Sequence, residues 1–569
     1  MSKKNVNLLA LFKEKKYSEI ILIIEQVKDK EKNSSLLNLL GVCRMLSANS
    51  NETIKLAIND FKKSYSLEKD KSKLKETIKN LINASKTLFD KEYIENATQP
   101  SSDFFHEINL IYKQNQQLFH NDPDLIKAIL KVFKRSTNVK NIIHYLNKAI
   151  NLNPDPGTIA SYNFFNNYVF DWKQSDYYYN SKKINQKLPI FLSEKLVNLR
   201  LSKKKKIKIG FISSDTRSKH SITYFLKTVL SIYNKDKFKI YLYHNHNLLN
   251  DPTVLELNEY VSNFTYISLL QDIEAINKIR EDEIDIMIDL NGFSSNHRLA
   301  LFKNRLAPVQ ISWCGYTNTT GLDEMDYLIV DKNLIKPEEE KFYSEKIVYL
   351  PNIWNCHSGY PYERFENPMP LETNSFITFG SFNNFRKINE EVIETWAAIL
   401  KRVKDSKLIL KTSIATSNDF YQKKFDDFGV LNSIIFSNYN KNFKDHLNEY
   451  KKIDIALDTF PWNGVTTSFE SIWMNVPVLV LEGFNFNSRC GFSINKNLKL
   501  LNLIAKNKED YIDKAISLAN DKNKLYEIRK NLFHNALNSP LFDKQKFSNE
   551  FFSLLEEIFK KNQLIDCDF

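Results

Sequence analysis

The spacing of apolar residues changes once along the chain, near residue 206. Over residues 1–160 they recur at helical intervals and almost nothing alternates as a strand would. In "ETIKLAINDFKKSYSLEKD" the stripe is Ile54, Ala57, Ile58, Phe61, Tyr65 and Leu67. In "NIIHYLNKAINLNPD" it is Ile142, Tyr145, Ala149 and Ile150, with Pro154 as terminator. From 206 onward the apolar residues gather in short runs: "KIKIGFISS", "KFKIYLYHN", "IDIMIDL", "VQISWCG" and "DYLIVD". Polar or helix-period segments such as "DIEAINKIRED" separate them. A proline-bearing break, "RFENPMPLETN", interrupts the alternation, which resumes with "SFITFGSFN", "SKLILKT", "SIIFSN", "IDIALDT" and "PVLVLEG". Between the first two of these, Val392, Ile393, Trp396, Ile399, Leu400 and Val403 give one helix a clean buried stripe.

Strands alternating with helices predict βαβ units and parallel sheets, and unbroken apolar runs fit strands covered on both faces. The expected organisation is a helical domain over 1–160, a helical connection over 161–205, a first α/β lobe over 206–365, a second over 366–540, and a C-terminal helix over 541–569. The fold class is therefore all-α followed by two Rossmann-like lobes facing a cleft, with ligands beyond the carboxyl ends of the strands. In the helical part, an Ala-Ile, aromatic, Ala pattern closing on Asn-Pro is similar to the second helix of a tetratricopeptide repeat. "LLNLLGVCRML" is similar to the first, with Leu40-Gly41 at the close helix contact. The separation of Phe61 from Tyr145 is not a multiple of the roughly 34-residue repeat, so a degenerate repeat and an irregular helical domain both stand.

Composition narrows the class. A chain of 569 residues is too long for one core. With 42% hydrophobic and 26% charged residues it has the make-up of a soluble globular protein. The formal charge of +12 suits anionic ligands, but no helix clusters Arg with interleaved aromatics, so nucleic acid is not an expected partner. The run "KKKKIKIG" at 203–210 reads as a solvated linker before a strand. The five cysteines (Cys43, Cys314, Cys356, Cys490 and Cys567) include no CxxC pair. That argues against a disulfide framework or a cysteine zinc site and for a reducing, cytoplasmic setting. No signal peptide and no 18-residue apolar span are expected.

The chemistry should lie in loops that follow strands. "IDIALDTFPWNGVTTSFESIW", residues 453–473, ends a strand at Asp458, turns at Asn463-Gly464 and starts a helix at Thr466-Thr467. Thr467-x-x-Glu470 fits a capping box. The same helix start fits an anion cradle, with Glu470 free to accept hydrogen bonds from a ribose diol. "SFNNFRKIN" places Asn383, Asn384 and Lys387 in a second strand-to-helix loop; there is no GxxxxGK[ST], so this is not a P-loop. "SSDTRSKHSITYF" carries Asp215 and His220. "DLNGFSSNHRLALFKNRLAPVQISWCGYTNTTG" places glycine-bearing turns, including Gly292 and Gly315, at strand ends in a chain with only 12 glycines. His446 lies on a helix just before the strand of the first loop, where its ring could stack on a base or simply face solvent.

Taken in order, "IGFISSD…H", "DLNG…R…APVQISW.GY..T.G…DY…D", "SFNN..KI", "LDT…NG.TTS.ES.W…PV" and "SR" resemble the catalytic region of the protein O-GlcNAc transferase family, including its bacterial and SPINDLY-like members. The resemblance spans about 206–545, and the helical N-terminus fits that family's tetratricopeptide arm. It implies a GT-B fold and inverting, metal-independent transfer from a nucleotide sugar, usually UDP-GlcNAc, to Ser or Thr of proteins. Under it, His220 matches the active-site His of the first lobe and Lys387 the Lys on the diphosphate. Asn384 stands where the family often has Gln. His446 matches the His beside the uracil, Thr466 and Thr467 the Thr pair at the phosphates, and Gly315 a turn near the sugar. Glu470 stands where the family often has Asp on the ribose. Val465 replaces a residue that is commonly His or polar, "GYTNTTG" lacks the usual proline and glycine, and the His220 loop is one residue longer; under the resemblance these departures lie near the sugar and acceptor.

No Asp-x-Asp pair lies in a nucleotide loop. The expectation is therefore no metal and no cofactor, with Lys387 and the N–H groups at Thr466 and Thr467 supplying the positive field. His220 is placed to orient the acceptor hydroxyl or take its proton; a substrate phosphate oxygen is the alternative base. Other donors (UDP-glucose, GDP-fucose) or a glycan acceptor fit the same fold. A helical-repeat scaffold with an inactive transferase region is the reading of a different class. Protein acceptors held by the helical repeats are the expected partners.

Overall fold

The computed structural model describes residues 7–96, 103–134, 137–191, 206–248, 250–362, 368–411, 415–437, 440 and 442–566. The chain forms two compact units: Met1–Asn153 with Thr412–Tyr421, and Pro154–Lys411 with Gln422–Phe569.

The first unit is helical. Its helices include Tyr17–Glu25, Ser34–Leu46, Asn51–Leu67, Lys71–Asn96, Pro123–Phe133 and Val139–Leu152. Side chains start several of them: Asn33 accepts from the Leu36 amide, Ser50 from Thr53 and Asn138 from Asn141. The expected contact at Gly41 is present, since a Cβ there would come within 2.6 Å of the Phe61 ring. Ile54, Ala57, Ile58 and Phe61 are buried as their spacing predicts, whereas Leu67, at the helix end, is exposed and Ser64 takes the inner position. Arg44 ties three helices together through Asp60 and Glu25.

The second unit contains both α/β lobes. The first sheet is built from β1 (Ile207–Ser213), β2 (Phe238–His244), β3 (Asn263–Tyr266), β4 (Ile286–Asp289), β5 (Val309–Ser312), β6 (Tyr327–Asp331) and β7 (Lys346–Leu350). The second is built from β8 (Thr378–Ser381), β9 (Lys407–Lys411), β10 (Ile434–Ser437), β11 (Ile455–Leu457), β12 (Val478–Leu481) and β13 (Ile504–Ala505). The strand orders are β3-β2-β1-β4-β5-β6-β7 and β10-β9-β8-β11-β12-β13, with every pairing parallel. These are two Rossmann-like lobes, the GT-B arrangement. The helix stripe from Val392 to Val403 is buried throughout.

Three strands lie outside the apolar runs named above. β3 is a mostly half-exposed edge strand and β13 has two residues, so neither shows a continuous apolar run; β7, the opposite edge strand, does carry one, Ile347 to Leu350. The helical part also divides earlier than 160. Helices Pro156–Asn166 and Gln174–Asn185 belong to the second unit, where Asn167 donates to the Tyr316 hydroxyl, Gln174 to Asn318 and Asn185 to the Thr320 carbonyl. Pro154 and Pro156 stop helix Val139–Leu152 and start the next. Residues 192–205 and 363–367 lie outside the described residues, and so do part of the basic run, part of the proline-bearing break and Cys567. The C-terminal helix Lys544–Asp566 packs on the first lobe. Phe551 meets Trp313 at 4.5 Å between ring centroids and Phe552 meets Phe238 at 4.9 Å. No helix among the described residues is long and apolar enough to cross a membrane.

Candidate functional site

Each sheet reverses its strand order once, between β1 and β4 in the first lobe and between β8 and β11 in the second. Loops leaving adjacent strands diverge at such a point and open a crevice. The loops that do so here carry Asp215 and His220, Asn291 and Gly292, Asn383 to Lys387, and Asp458 to Thr467.

In the first lobe His220 is the N-cap of helix Ser221–Leu230. Its Nε2 lies 3.4 Å from Asp215 Oδ1. Asp215 Oδ2 in turn accepts from Asn291 Nδ2 at 2.8 Å and Ser294 Oγ at 3.3 Å. A carboxylate held in this way favours the proton on Nε2 and leaves the Nδ1 lone pair as acceptor; Nδ1 is buried and has no hydrogen-bond partner among the described residues. Burial pushes the imidazole below its ordinary range, against the pull of Asp215 and with a push from Arg217. A neutral imidazole with an unpaired lone pair has the protonation state a general base requires, and Nδ1 must be uncovered before a substrate can use it.

In the second lobe Lys387 closes a short turn, Phe385–Lys387, in which the Asn384 side chain accepts from the Arg386 amide. Its Nζ donates to the Asn463 carbonyl at 2.6 Å and sits 4.9 Å above the Trp462 ring. The amine is thereby fixed to the loop that leads into Thr466-Thr467. Burial pushes Lys387 down to about 8, against the pull of Asp458. Gly464 is required by close approach: a Cβ there would lie 2.5 Å from Thr467 Oγ1 and 3.0 Å from Asp458 Oδ1.

The capping-box expectation fails. The helix is Thr466–Trp473, with Val465 as N-cap and no side-chain cap. Because it starts earlier than the motif assumes, Glu470 falls more than a turn inside. Its Oε2 accepts from His446 Nε2 at 2.9 Å and from the Tyr450 hydroxyl at 3.0 Å. Thr467 Oγ1 donates instead to Asn383 Oδ1 at 3.1 Å. The Thr466 and Thr467 amides have no acceptor among the described residues, so the positive end of this helix is open to an anion.

His446 is locked on both sides. Lys411 Nζ donates to its Nδ1 and to Asn440 Oδ1, and Nε2 donates to Glu470. Phe382 and Phe443 flank the ring, with centroids at 6.0 and 5.6 Å. Burial lowers Lys411 to about 8, opposed by Glu470 and Glu449. Neither Lys411 nor Tyr450 is singled out by the sequence, although both had a signal. Lys411 ends a strand beside the crevice, and Tyr450 lies one turn after His446 on the same helical stretch.

Gly315 follows β5 and sits against backbone. A Cβ there would come 1.8 Å from the Leu290 carbonyl oxygen and 3.2 Å from Ile222, in the first turn of the helix that His220 caps. The neighbouring "TNTT" segment is held from within the fold: the Glu345 carboxylate accepts from the Thr319 and Thr320 hydroxyls and from the Thr320 amide. The structure thus gathers Asn384, Lys387, Thr466 and Thr467 at one switch point and joins His446 to Glu470. It sets His220 and Gly315 in the other lobe. The helices starting at Ser221 and Thr466 touch through Phe225 and Phe469, with centroids 5.5 Å apart. Among the described residues, no three His, Cys, Asp or Glu side chains gather as metal ligands.

The profile of glycosyl transferase family 41 matches residues 184–358 and 369–551, more than half of the chain. A probable UDP-N-acetylglucosamine–peptide N-acetylglucosaminyltransferase SPINDLY of Solanum lycopersicum is 34% identical over 368 residues, covering 62% of this chain and 39% of that protein. The corresponding SEC protein of Arabidopsis thaliana is 29% identical over 358 residues, covering 60% and 36%. The chain therefore spans about two fifths of the length of these curated relatives. Among solved structures, a mutant O-GlcNAc transferase of Thermobaculum terrenum superposes with a TM-score of 0.78 at 23% identity, covering 94% of this chain and 99% of that one. At that identity the likeness concerns the fold.

Proposed function

The chain belongs to glycosyl transferase family 41, and from that premise we propose that it transfers GlcNAc from UDP-GlcNAc to Ser or Thr hydroxyls of proteins, with inversion and without a metal ion. The observation that carries this reading is the placement of the Lys387 amine, 2.6 Å from the Asn463 carbonyl, on the loop that opens into the free amides of Thr466 and Thr467. One ammonium and a helix start can together hold the pyrophosphate and the charge that grows as the nucleotide leaves. The bond from sugar C1 to the β-phosphate oxygen breaks and its electron pair departs with UDP. The acceptor oxygen bonds to C1 from the opposite face, and its proton passes to His220 Nδ1 or to a phosphate oxygen. His446 and Glu470 would contact the uracil and ribose, Asn384 the diphosphate side, and Gly315 the backbone turn that shapes the sugar pocket. The helical unit would bind protein acceptors. The buried, unpaired thiols of Cys43, Cys314, Cys356 and Cys490 support a reducing, cytoplasmic setting.

The test is incubation of the full chain with a protein lysate and, separately, UDP-GlcNAc, UDP-glucose or GDP-fucose, with site mapping by mass spectrometry and UDP titration by calorimetry. New HexNAc on Ser or Thr is expected from UDP-GlcNAc. Transfer from another donor alone would reassign the sugar. No transfer together with no UDP binding would leave a scaffold with an inactive transferase region.

A further inference from the structure

Asp458 is the residue on which the two phosphate-side loops converge. It is fully buried directly after β11, and its Oδ1 accepts three hydrogen bonds: from the Gly464 amide at 2.7 Å, the Thr459 amide at 2.9 Å and Asn383 Nδ2 at 3.0 Å. The first two fold the turn that presents Asn463 to Lys387. The third reaches across to the neighbouring loop, where the same Asn383 accepts from Thr467 Oγ1. Oδ2 is buried without a hydrogen-bond partner among the described residues, and Gly491 packs so closely over it that a Cβ there would lie at 2.9 Å. Turn formation does not account for a carboxylate oxygen sealed in this way. The cation on the same turn is Lys387, whose Nζ is held to the Asn463 carbonyl and whose charge acts on Asp458.

Resting on the transferase reading above, we propose that Asp458 is a positioning residue: through Asn383 it sets the register of Thr467 against the Lys387 loop, and as buried counter-charge it keeps the Lys387 amine protonated. Burial pushes Lys387 down to about 8 while Asp458 pulls it up. Burial pushes Asp458 up to about 6 while Lys387 pulls it down. The other titratable groups facing the pair are the Cys490 thiol, from helix Phe486–Asn497, and the Tyr511 hydroxyl, which donates to the Asp458 carbonyl at 3.0 Å. Burial raises both well above their ordinary values, so both stay neutral at neutral pH.

The pH dependence of Lys387 acylation by acetic anhydride, read by mass spectrometry, reports its protonation without any substrate. Asp458→Asn is expected to lower the labelling midpoint by about one pH unit or more and to move the alkaline limb of kcat/KM down with it. Asn383→Ala keeps the charge, so its midpoint should stay put while UDP affinity falls about tenfold, the usual scale of one lost hydrogen bond to a charged group. An unshifted midpoint in folded Asp458→Asn overturns the counter-charge role. Unchanged UDP affinity in Asn383→Ala overturns the register role, and if Asp458→Asn does not fold, a wild-type labelling midpoint well below the expected value of about 8 overturns the counter-charge role. A wild-type chain that binds neither UDP nor GDP and transfers no sugar sinks the transferase reading and leaves the labelling comparison intact.

Discussion

In the proposed transfer Lys387 meets the largest electrostatic demand, and its surroundings make its charge costly to hold. An amine enclosed by Trp462, Asn463 and buried backbone loses hydration, which explains why burial dominates its titration. Its charge is present below about 8 and is lost as pH rises through that value. In the wild type, kcat/KM is therefore expected to fall on the alkaline side with a midpoint near 8, a pH–rate profile being the measurement; a flat profile to pH 9.5 would remove Lys387 from the mechanism. Lys387→Ala should lower kcat about a hundredfold, about 3 kcal/mol. Its melting temperature should stay close to wild type, because the side chain fills no core position. Wild-type turnover in that variant would refute the assignment.

At the scale of elements, two glycines that look alike in the sequence do different work. At Gly464 a methyl group would strike Thr467 Oγ1, a side chain able to move, so Gly464→Ala should fold with about 1–3 kcal/mol less stability and weaken UDP binding by displacing the helix start. At Gly315 the obstacle is the Leu290 carbonyl, which belongs to the loop after β4 and cannot yield. Gly315→Ala should therefore give little folded protein, as judged by soluble yield and circular dichroism. A folded Gly315→Ala enzyme with altered donor preference would instead assign this glycine to the sugar. The helix Thr466–Trp473 also shows why a four-residue motif misleads: shifting its start to Thr466 turns Glu470 from a cap into the acceptor for His446 and Tyr450.

Across the whole molecule, a buried ion pair helps to join the lobes. Arg489, on helix Phe486–Asn497, meets Glu339 of the first lobe through Nη1 at 2.6 Å and Nη2 at 2.7 Å, and it also donates to the Gly483 and Leu334 carbonyls. The Arg489 side chain is 3% exposed and that of Glu339 19%. Removing Glu339 leaves a buried guanidinium short of its counter-charge, which costs about 3–5 kcal/mol. Urea unfolding of Glu339→Ala should show that loss, and a change under about 0.5 kcal/mol would mean that the apolar contacts and the remaining polar ones, such as Ser493 to Asp331, hold the lobes without this pair. Those contacts include the C-terminal helix, whose Phe547, Phe551 and Phe552 are buried against the first lobe although they follow the second in the chain.

Local spacing in the sequence was enough to determine the helical N-terminal unit, most of the strands, the Gly41 contact and the loops that leave the strand ends, because each rests on residues a few positions apart. The partners of those loop residues were out of its reach. Lys387 and Asn463 are 76 positions apart and His446 and Glu470 are 24 apart. The strand order, which sets β8 beside β11, brings the first pair together; the second pair meets because the helices before and after β11 pack side by side. Equally out of reach were the edge strand β3 and the helices at 156–185, which dock on the 315–321 segment through Asn167, Gln174 and Asn185. Periodicity records which face of an element is apolar, whereas the assembled sheets decide which element that face meets.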